Sequence, residues 1–196
     1  MALNIECESR IMLSKEEYKT LLAFYKGKSK THYIRQVNHY IDSTTFDLRN
    51  ANRKSLRIRD INGNKSELTL KLKGFDGDKE YNEYISKETK DSFFNKGIFP
   101  EGEIKNILSN SKIDISKLKV LTSLSTIRYE KKIDDYLIVI DKNEYNGIVD
   151  YNMEIEAPSM KRAYEVMNEC CQKFGLTFKE KYDTKSKRAL QSILRK

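Results

Sequence analysis

At 196 residues the chain can bury a sizeable core, and it suits one domain spanning 1–196. Apolar residues make up 38% and charged residues 34%, with a formal net charge of +8; this favours an anionic partner such as a phosphate ester, a nucleic acid or an anionic membrane surface. The longest strongly apolar run, 136–140, is too short to cross a bilayer. Two acids within the first eight residues argue against a signal peptide, and Cys7, Cys170 and Cys171, which lack zinc spacing, fit a reduced, cytoplasmic protein.

Residues 2–12 alternate and predict a strand. Ser14, with Glu17 three positions on, has the form of a helix cap, and Leu21, Leu22, Phe24 and Tyr25 give the helix an apolar stripe that Gly27 ends. The β-branched and aromatic stretch 31–43 predicts a second strand, followed by a polar turn or short helix at 47–52. Strands at 54–61 and 66–73 flank Asn62-Gly63-Asn64, a hairpin signal, and a further turn at 74–77 leads to a strand at 78–86. Residues 87–116 are lysine-rich and carry Gly97, Pro100 and Gly102, so short helices in a connecting excursion are expected. Strands return at 119–132, 135–142 and 148–157. A helix at 159–174 stopped by Gly175, a short strand at 176–182 and a terminal helix from 184 complete the chain.

This inventory of about eight strands, largely joined by hairpins, predicts an α+β fold: an eight-stranded antiparallel β-barrel with helices packed outside. Leu68, Leu70 and Leu72 require burial, while Thr69, Lys71 and Lys73 share the other face of their strand. With helices over the leucine face, the charged face is left for the lumen. The same alternation recurs in Glu6-Cys7-Glu8-Ser9-Arg10, Arg57-Ile58-Arg59 and Glu154-Ile155-Glu156. Half-solvated strands alternate by default, but here every acid or base pair is pure in sign, as a metal face and a phosphate face would require. Carboxylates of Glu6, Glu8, Glu154 and Glu156 suit Mg²⁺ or Mn²⁺; Arg57 and Arg59 suit bidentate phosphate contacts, with Lys71 and Lys73 as point charges. Other motifs carry less. Gly74-x-x-Gly77 lacks a phosphate-loop lysine, His32 and His39 lack metal spacing, and Cys7 should face the barrel wall.

Glu6-x-Glu8-x-Arg10 resembles the ExExK signature of the CYTH superfamily, the triphosphate tunnel metalloenzymes. Tyr40-Ile41-Asp42, Leu48 and Leu56-Arg57-Ile58-Arg59 resemble the family's aromatic-x-Asp…Leu…LRxR stretch, and Leu70-Lys71-Leu72-Lys73 its LKxK-type strand. Arg128, Asp141, Glu154-x-Glu156 and Lys185-Ser186-Lys187 follow in the family's order, and Tyr81-Asn82-Glu83-Tyr84 loosely resembles its central acidic strand. The resemblance implies a tunnel that binds a triphosphate through Arg10, Arg57, Arg59, Lys71, Lys73, Arg128 and Lys185. Metal would be held by Glu6, Glu8, Asp141, Glu154 and Glu156, the catalytic set would comprise Glu6, Glu8, Glu154, Glu156 and Lys185, and Glu83 would be an additional site. Arg10 departs from the usual lysine: it keeps the charge but cannot act as a base.

The expected activity is divalent-metal-dependent hydrolysis of a small-molecule triphosphate. Inorganic triphosphate is preferred because nothing in the sequence clearly reads a base. An adenylyl cyclase forming cyclic AMP from ATP is the alternative, and a non-catalytic binder of polyphosphate, nucleotide or RNA a third reading. No membrane partner is expected, nucleic acid is disfavoured, and the oligomeric state stays open, a homodimer included.

Overall fold

The computed structural model describes residues 2–26, 32–51, 55–74, 77–179 and 182–194. Eight strands close into an antiparallel barrel: β1 (Ala2–Leu13), β2 (His32–Asp42), β3 (Ser55–Ile61), β4 (Lys65–Leu72), β5 (Asp78–Ile85), β6 (Lys119–Ile133), β7 (Tyr136–Tyr145) and β8 (Ile148–Ala157). Around the barrel they run β1-β5-β4-β3-β2-β6-β7-β8. The described helices are α1 (Lys15–Lys26), α2 (Asp47–Asn50), α3 (Lys87–Lys96), α4 (Glu103–Asn110), α5 (Met160–Phe174) and α6 (Lys185–Ile193), with a 3₁₀ turn at Ile115–Lys117. None of these helices is long and apolar enough to cross a membrane.

Local chemistry sets the joints. Ser14 and Glu17 cap α1 reciprocally: Glu17 N donates to Ser14 Oγ (3.2 Å) and Ser14 N to Glu17 Oε2 (2.6 Å). Asn62 and Gly63, in the three-residue connection between Ile61 and Lys65, both take the left-handed backbone (φ 51° and 74°), whose twist matches that of the flanking strands. Asn146-Gly147 repeats this between β7 and β8 (φ 48° and 82°). The expected Gly27 stop and the centre of the 74–77 turn lie outside the described residues.

Alternation along the strands divides the apolar residues among separate cores. Outside one wall, Ile11, Ile138, Ile140, Met153 and Ile155 pack under α1 and α5 through Leu21, Val166 and Met167. Outside the facing wall, Ile41, Leu56, Ile58, Leu68 and Leu70 pack against the 87–116 excursion through Phe93, Ile104 and Leu108. Both sets are nearly inaccessible to water, so the barrel is apolar outside and the opposite face of each strand is free to be polar. A third cluster brings Tyr40, Leu124 and Tyr145 against Ala189 and Leu190 of α6, which closes one end of the lumen. At the other end Asn4, Lys65 and Tyr84 are exposed, and this end is the mouth.

The strand expected at 176–182 is not formed at the described residues of that stretch. The closed barrel offers no edge for it, and Leu176, Phe178 and Tyr182 instead pack against the α1/α5 core.

Candidate functional site

Cross-strand register builds the lumen. Glu8 lies opposite Glu156, and Arg10 opposite Glu154, across the β1–β8 seam. Arg128 of β6 lies opposite Asp141 of β7. β3, which carries Arg57 and Arg59, is four strands from β8 in either direction around the ring, so these arginines lie across the lumen from Glu154 and Glu156.

At the centre is a buried knot of charge. Arg128 donates from Nε and Nη2 to the two carboxylate oxygens of Asp141 (2.9 Å each) and from Nη2 to Glu154 (3.0 Å). Lys185 Nζ, brought in by the first turn of α6, donates to Glu154 (2.6 Å) and pairs with Asp141 (2.8 Å). Arg10 joins Glu154 through Nε and Glu8 through Nη2 (2.5 Å). Burial pushes Glu154 up, but Arg10, Lys185 and Arg128 overcome it and hold its carboxyl well below the usual range.

Nearer the mouth, carboxylate oxygens of Glu6, Glu8 and Glu156 lie within 4.8 Å of one another. Burial, opposed by Arg128 and reinforced by Glu6, Glu154 and Glu8, pushes Glu156 up to about 7. Glu6 is raised by burial and by Glu8. Glu8 is held at about 2: burial raises it, and Arg10 and Lys71 outweigh that. Crowded hard-oxygen donors, two of them driven towards the protonated form, are the donor set that a divalent cation such as Mg²⁺ or Mn²⁺ fits.

The basic wall is under-neutralised. Arg57 reaches Glu80 only at 3.6 Å, and its buried Nε has no hydrogen-bond partner among the described residues. Arg59 donates to the neutral Asn38 Oδ1 (2.9 Å) and has no carboxylate partner among the described residues. Burial, then Arg57 and Arg128, pull its guanidinium down to about 10. Partly buried cations that share so little counter-charge are costly, and an anion in the lumen would relieve both.

Eleven of the anticipated residues, Glu6, Glu8, Arg10, Arg57, Arg59, Lys71, Arg128, Asp141, Glu154, Glu156 and Lys185, thus come together on this lining. Two do not. Lys73 lies one residue past the end of β4 and is exposed, because the pleat that would aim it inward has ended. Glu83 lies opposite outward-facing Leu68, and its carboxylate accepts from the backbone N–H groups of Glu103 (2.8 Å) and Ile104 (3.2 Å); it caps α4. The separate metal and phosphate faces expected from pure-sign pairs are also not found. Lys71 sits among acids, paired with Glu6, with Glu8 at 3.6 Å and with Asp78 at 3.8 Å, so opposite signs meet across strands even though each pair is pure.

Glu80, Asn82 and Arg188 escape the sequence reading, whereas Thr69 lies on the face expected of it. Thr69 donates to Asn82, Asn82 to Glu80, and Glu80 faces Arg57, so a polar relay on β4 and β5 steadies the arginine. In 78–85 charges fall on both faces, Lys79 and Glu83 beside Asp78 and Glu80, and the alternation that marks the other strands is lost. Arg188 follows Lys185 by three residues, hence on the same helix face, and pairs with Asp150 (2.8 Å); that spacing is its one sequence signal.

Comparison with known proteins fits this geometry. The family model described as the CYTH domain matches residues 4–186. A Bacillus subtilis (strain 168) protein named "Putative triphosphatase YjbK" is 33% identical over 180 residues, covering 92% of each chain. A crystal structure from Bacillus halodurans, described as "a putative adenylate cyclase", superposes with a TM-score of 0.86 at 30% identity, covering 96% of this chain and 98% of that one. A Hippeastrum protein described as a "putative adenylyl cyclase" with a dominant triphosphatase activity shares the fold (TM-score 0.75, 18% identity, 97% and 95% coverage). With an inverted barrel, an acid cluster facing under-neutralised arginines and a family match over nearly its whole length, this chain belongs to the CYTH domain family.

Proposed function

We propose that this protein hydrolyses a triphosphate group in the barrel lumen, with a divalent cation, Mg²⁺ or Mn²⁺, held by the carboxylates of Glu6, Glu8 and Glu156. The observation that carries this reading is the opposition of two under-neutralised, partly buried arginines, Arg57 and Arg59, to that carboxylate cluster. The name of the Bacillus subtilis relative points the same way.

The residues divide the work. Arg57 and Arg59 offer planar guanidinium forks to phosphate oxygens. Arg10, Lys71, Arg128 and Lys185 counter the remaining charge, and the Arg128–Asp141–Glu154–Lys185 knot fixes the lining that holds them. The cation, when bound, would neutralise phosphate charge and polarise the attacked phosphorus. Water oxygen attacks the terminal phosphorus, the bond to the bridging oxygen breaks, and a lumen carboxylate takes the water's proton. The shortened phosphate chain leaves with the bridging oxygen. Such transfer needs little beyond positioning and charge neutralisation.

The Bacillus halodurans likeness supports a second reading, an adenylyl cyclase in which the ribose 3′-hydroxyl of ATP replaces water and diphosphate leaves. One assay separates the two: purified protein with inorganic triphosphate or ATP, with Mg²⁺ or Mn²⁺ and with chelator, scored for phosphate and for cyclic AMP. Phosphate release that chelator abolishes is the expected result. Cyclic AMP as the main product would establish the cyclase reading, and triphosphate binding with no product of either kind would make the protein a binder.

A further inference from the structure

The mouth carries a residue that phosphate chemistry does not call for. Asp78, Glu80 and Asn82 of β5 all face the lumen, shown by their contacts with Lys71, Arg57 and Thr69. Tyr84 is next on that face, since side chains two apart share a side of a strand. Its 75% exposure is the highest among the exposed large hydrophobic side chains described. A tyrosine on a lumen face whose other members are charged or amide residues gains nothing by packing there.

Its place relative to the arginines is set by register. Arg59 pairs with Glu67, and Glu67 with Tyr84, so the three occupy one row across β3, β4 and β5. Two strand spacings separate Arg59 from Tyr84, about 10 Å between backbones. The arginine is long and reaches inward, so a group esterified to a triphosphate held at Arg57 and Arg59 would emerge beside the Tyr84 ring. The ring stands at the rim of the mouth, where the lumen meets a recess on the outer side of β4 and β5 bounded by Ser66, Ile85, Ser86 and Lys90. Lys65 lies on the same strand face as Glu67, so this rim carries a charge of each sign beside Tyr84.

We propose that Tyr84 is the specificity-determining residue of the lumen: a stacking platform that selects a triphosphate bearing an aromatic group, a nucleoside triphosphate, over inorganic triphosphate. The proposal rests on the triphosphate reading above and names its substrate class. It departs from the preference for inorganic triphosphate drawn from the sequence, where Tyr84 was indistinguishable from the eleven other tyrosines. Base–aromatic stacking depends on the ring and not on the hydroxyl, so phenylalanine should replace tyrosine there and alanine should not.

The experiment compares wild type, Tyr84→Ala and Tyr84→Phe on ATP and inorganic triphosphate. It measures kcat/KM for each and, by calorimetry, the Kd of a non-hydrolysable ATP analogue and of inorganic triphosphate. The expected result is a loss of about fivefold or more for Tyr84→Ala on ATP and its analogue, the low end of stacking effects. Inorganic triphosphate should stay within about twofold, and Tyr84→Phe should match wild type on both ligands. Equal changes on both ligands, or none on either, overturn the proposal. If no triphosphate is hydrolysed, the hydrolase reading fails, and the two dissociation constants still decide the role of Tyr84.

Discussion

Arg57 shows most directly how one residue type in one place defines the lumen. A guanidinium with a buried Nε that meets no acceptor, and whose nearest carboxylate stands 3.6 Å off, is held ready for a ligand and contributes little to the fold. Arg57→Ala should therefore weaken triphosphate binding by about 1.5–3 kcal/mol, the scale of a hydrogen bond to a charged group, while the melting temperature holds or rises. Calorimetric titration with inorganic triphosphate alongside a thermal melt checks both, and unchanged affinity would remove Arg57 from the site. The acids obey different logic. Glu8→Gln or Glu156→Gln keeps shape and removes a charge from a crowded trio, so turnover should collapse while the fold survives. The assay is phosphate release across a Mg²⁺ titration, with circular dichroism as the control; wild-type turnover in either variant would refute the cation role.

At the scale of elements, the helices outside are tied to the barrel by polar clamps as well as by apolar packing. Glu83 reaches from β5 to the first N–H groups of α4, where Gly102 offers no side-chain cap, and a Cβ at Gly102 would meet the Glu83 carboxylate at 2.5 Å. Glu83→Ala should cost about 0.5–2 kcal/mol, the worth of a helix cap, lowering the urea midpoint with phosphate release unchanged. Lost activity at full stability would return Glu83 to the site. A second clamp joins β2, β3, β6 and α3: His39 contacts Ser123 (2.8 Å) and Asp60 (3.3 Å), Asp60 accepts from Lys90 (2.8 Å), and Phe94 stands edge-on to the imidazole. Burial holds His39 below its ordinary value; Asp60 raises it in part and Lys90 lowers it. As pH falls through about 6.5 the unfolded imidazole takes a proton that the folded one resists, so this group's contribution declines on acidification. Glu156, raised to about 7, works in the opposite sense over the same range, which makes the comparison with a variant the informative one. Between pH 7.5 and 5.5 the urea midpoint of wild type should fall relative to that of His39→Gln; parallel curves would show that His39 does not contribute.

These elements also show what a sequence can reveal. Arg57-Ile58-Arg59 and Glu154-Ile155-Glu156 were legible because an apolar residue between two like charges fixes which face is buried, and Ile58 and Ile155 are indeed fully buried. The 78–85 strand was legible as a strand but not by face, since Lys79, Glu80 and Glu83 spread charge over both sides. Glu83 was expected at the site only from the loose resemblance of 81–84 to a family strand, and the mixed faces are why Glu80 was overlooked. Lys73 failed at a strand end, where period-two logic stops with the pleat. Leu176 and Phe178 alternate as a strand would, yet pairing is a property of available edges, and a closed ring has none to offer.

At the scale of the whole molecule, closure is what lets so polar a sequence fold. Eight strands pair with no free edge, and helices shield the outer apolar faces on two walls, so the interior can hold charge at high density. The remaining requirement is a floor, and α6 supplies it. Thr184 caps the helix, Lys185 enters the central knot, and Ala189 and Leu190 cover Tyr40, Leu124 and Tyr145. Asn146 Nδ2, at the β7–β8 hairpin, donates to Ser192 Oγ (2.7 Å). Arg188 is the latch between helix and wall: Nε donates to Asp150 Oδ2 (2.8 Å) and Nη2 to Oδ1 (3.2 Å), while Nη1 returns to the carbonyl of Asp183 (2.7 Å). Arg188→Met keeps most of the stem's packing and strips the charge, leaving Asp150 with Tyr145 and Asn143 as its hydrogen-bond donors. The cost should be about 1.5–3 kcal/mol, the range for a charge-assisted bond, or roughly 3–12 °C in melting temperature for a chain of this size. Amide exchange should rise first in α6 and in the lower ends of β7 and β8, because the floor is fastened there and nowhere else among the described contacts of Arg188. A uniform rise over the whole barrel, or no rise at all, would show that α6 is not held independently of the ring.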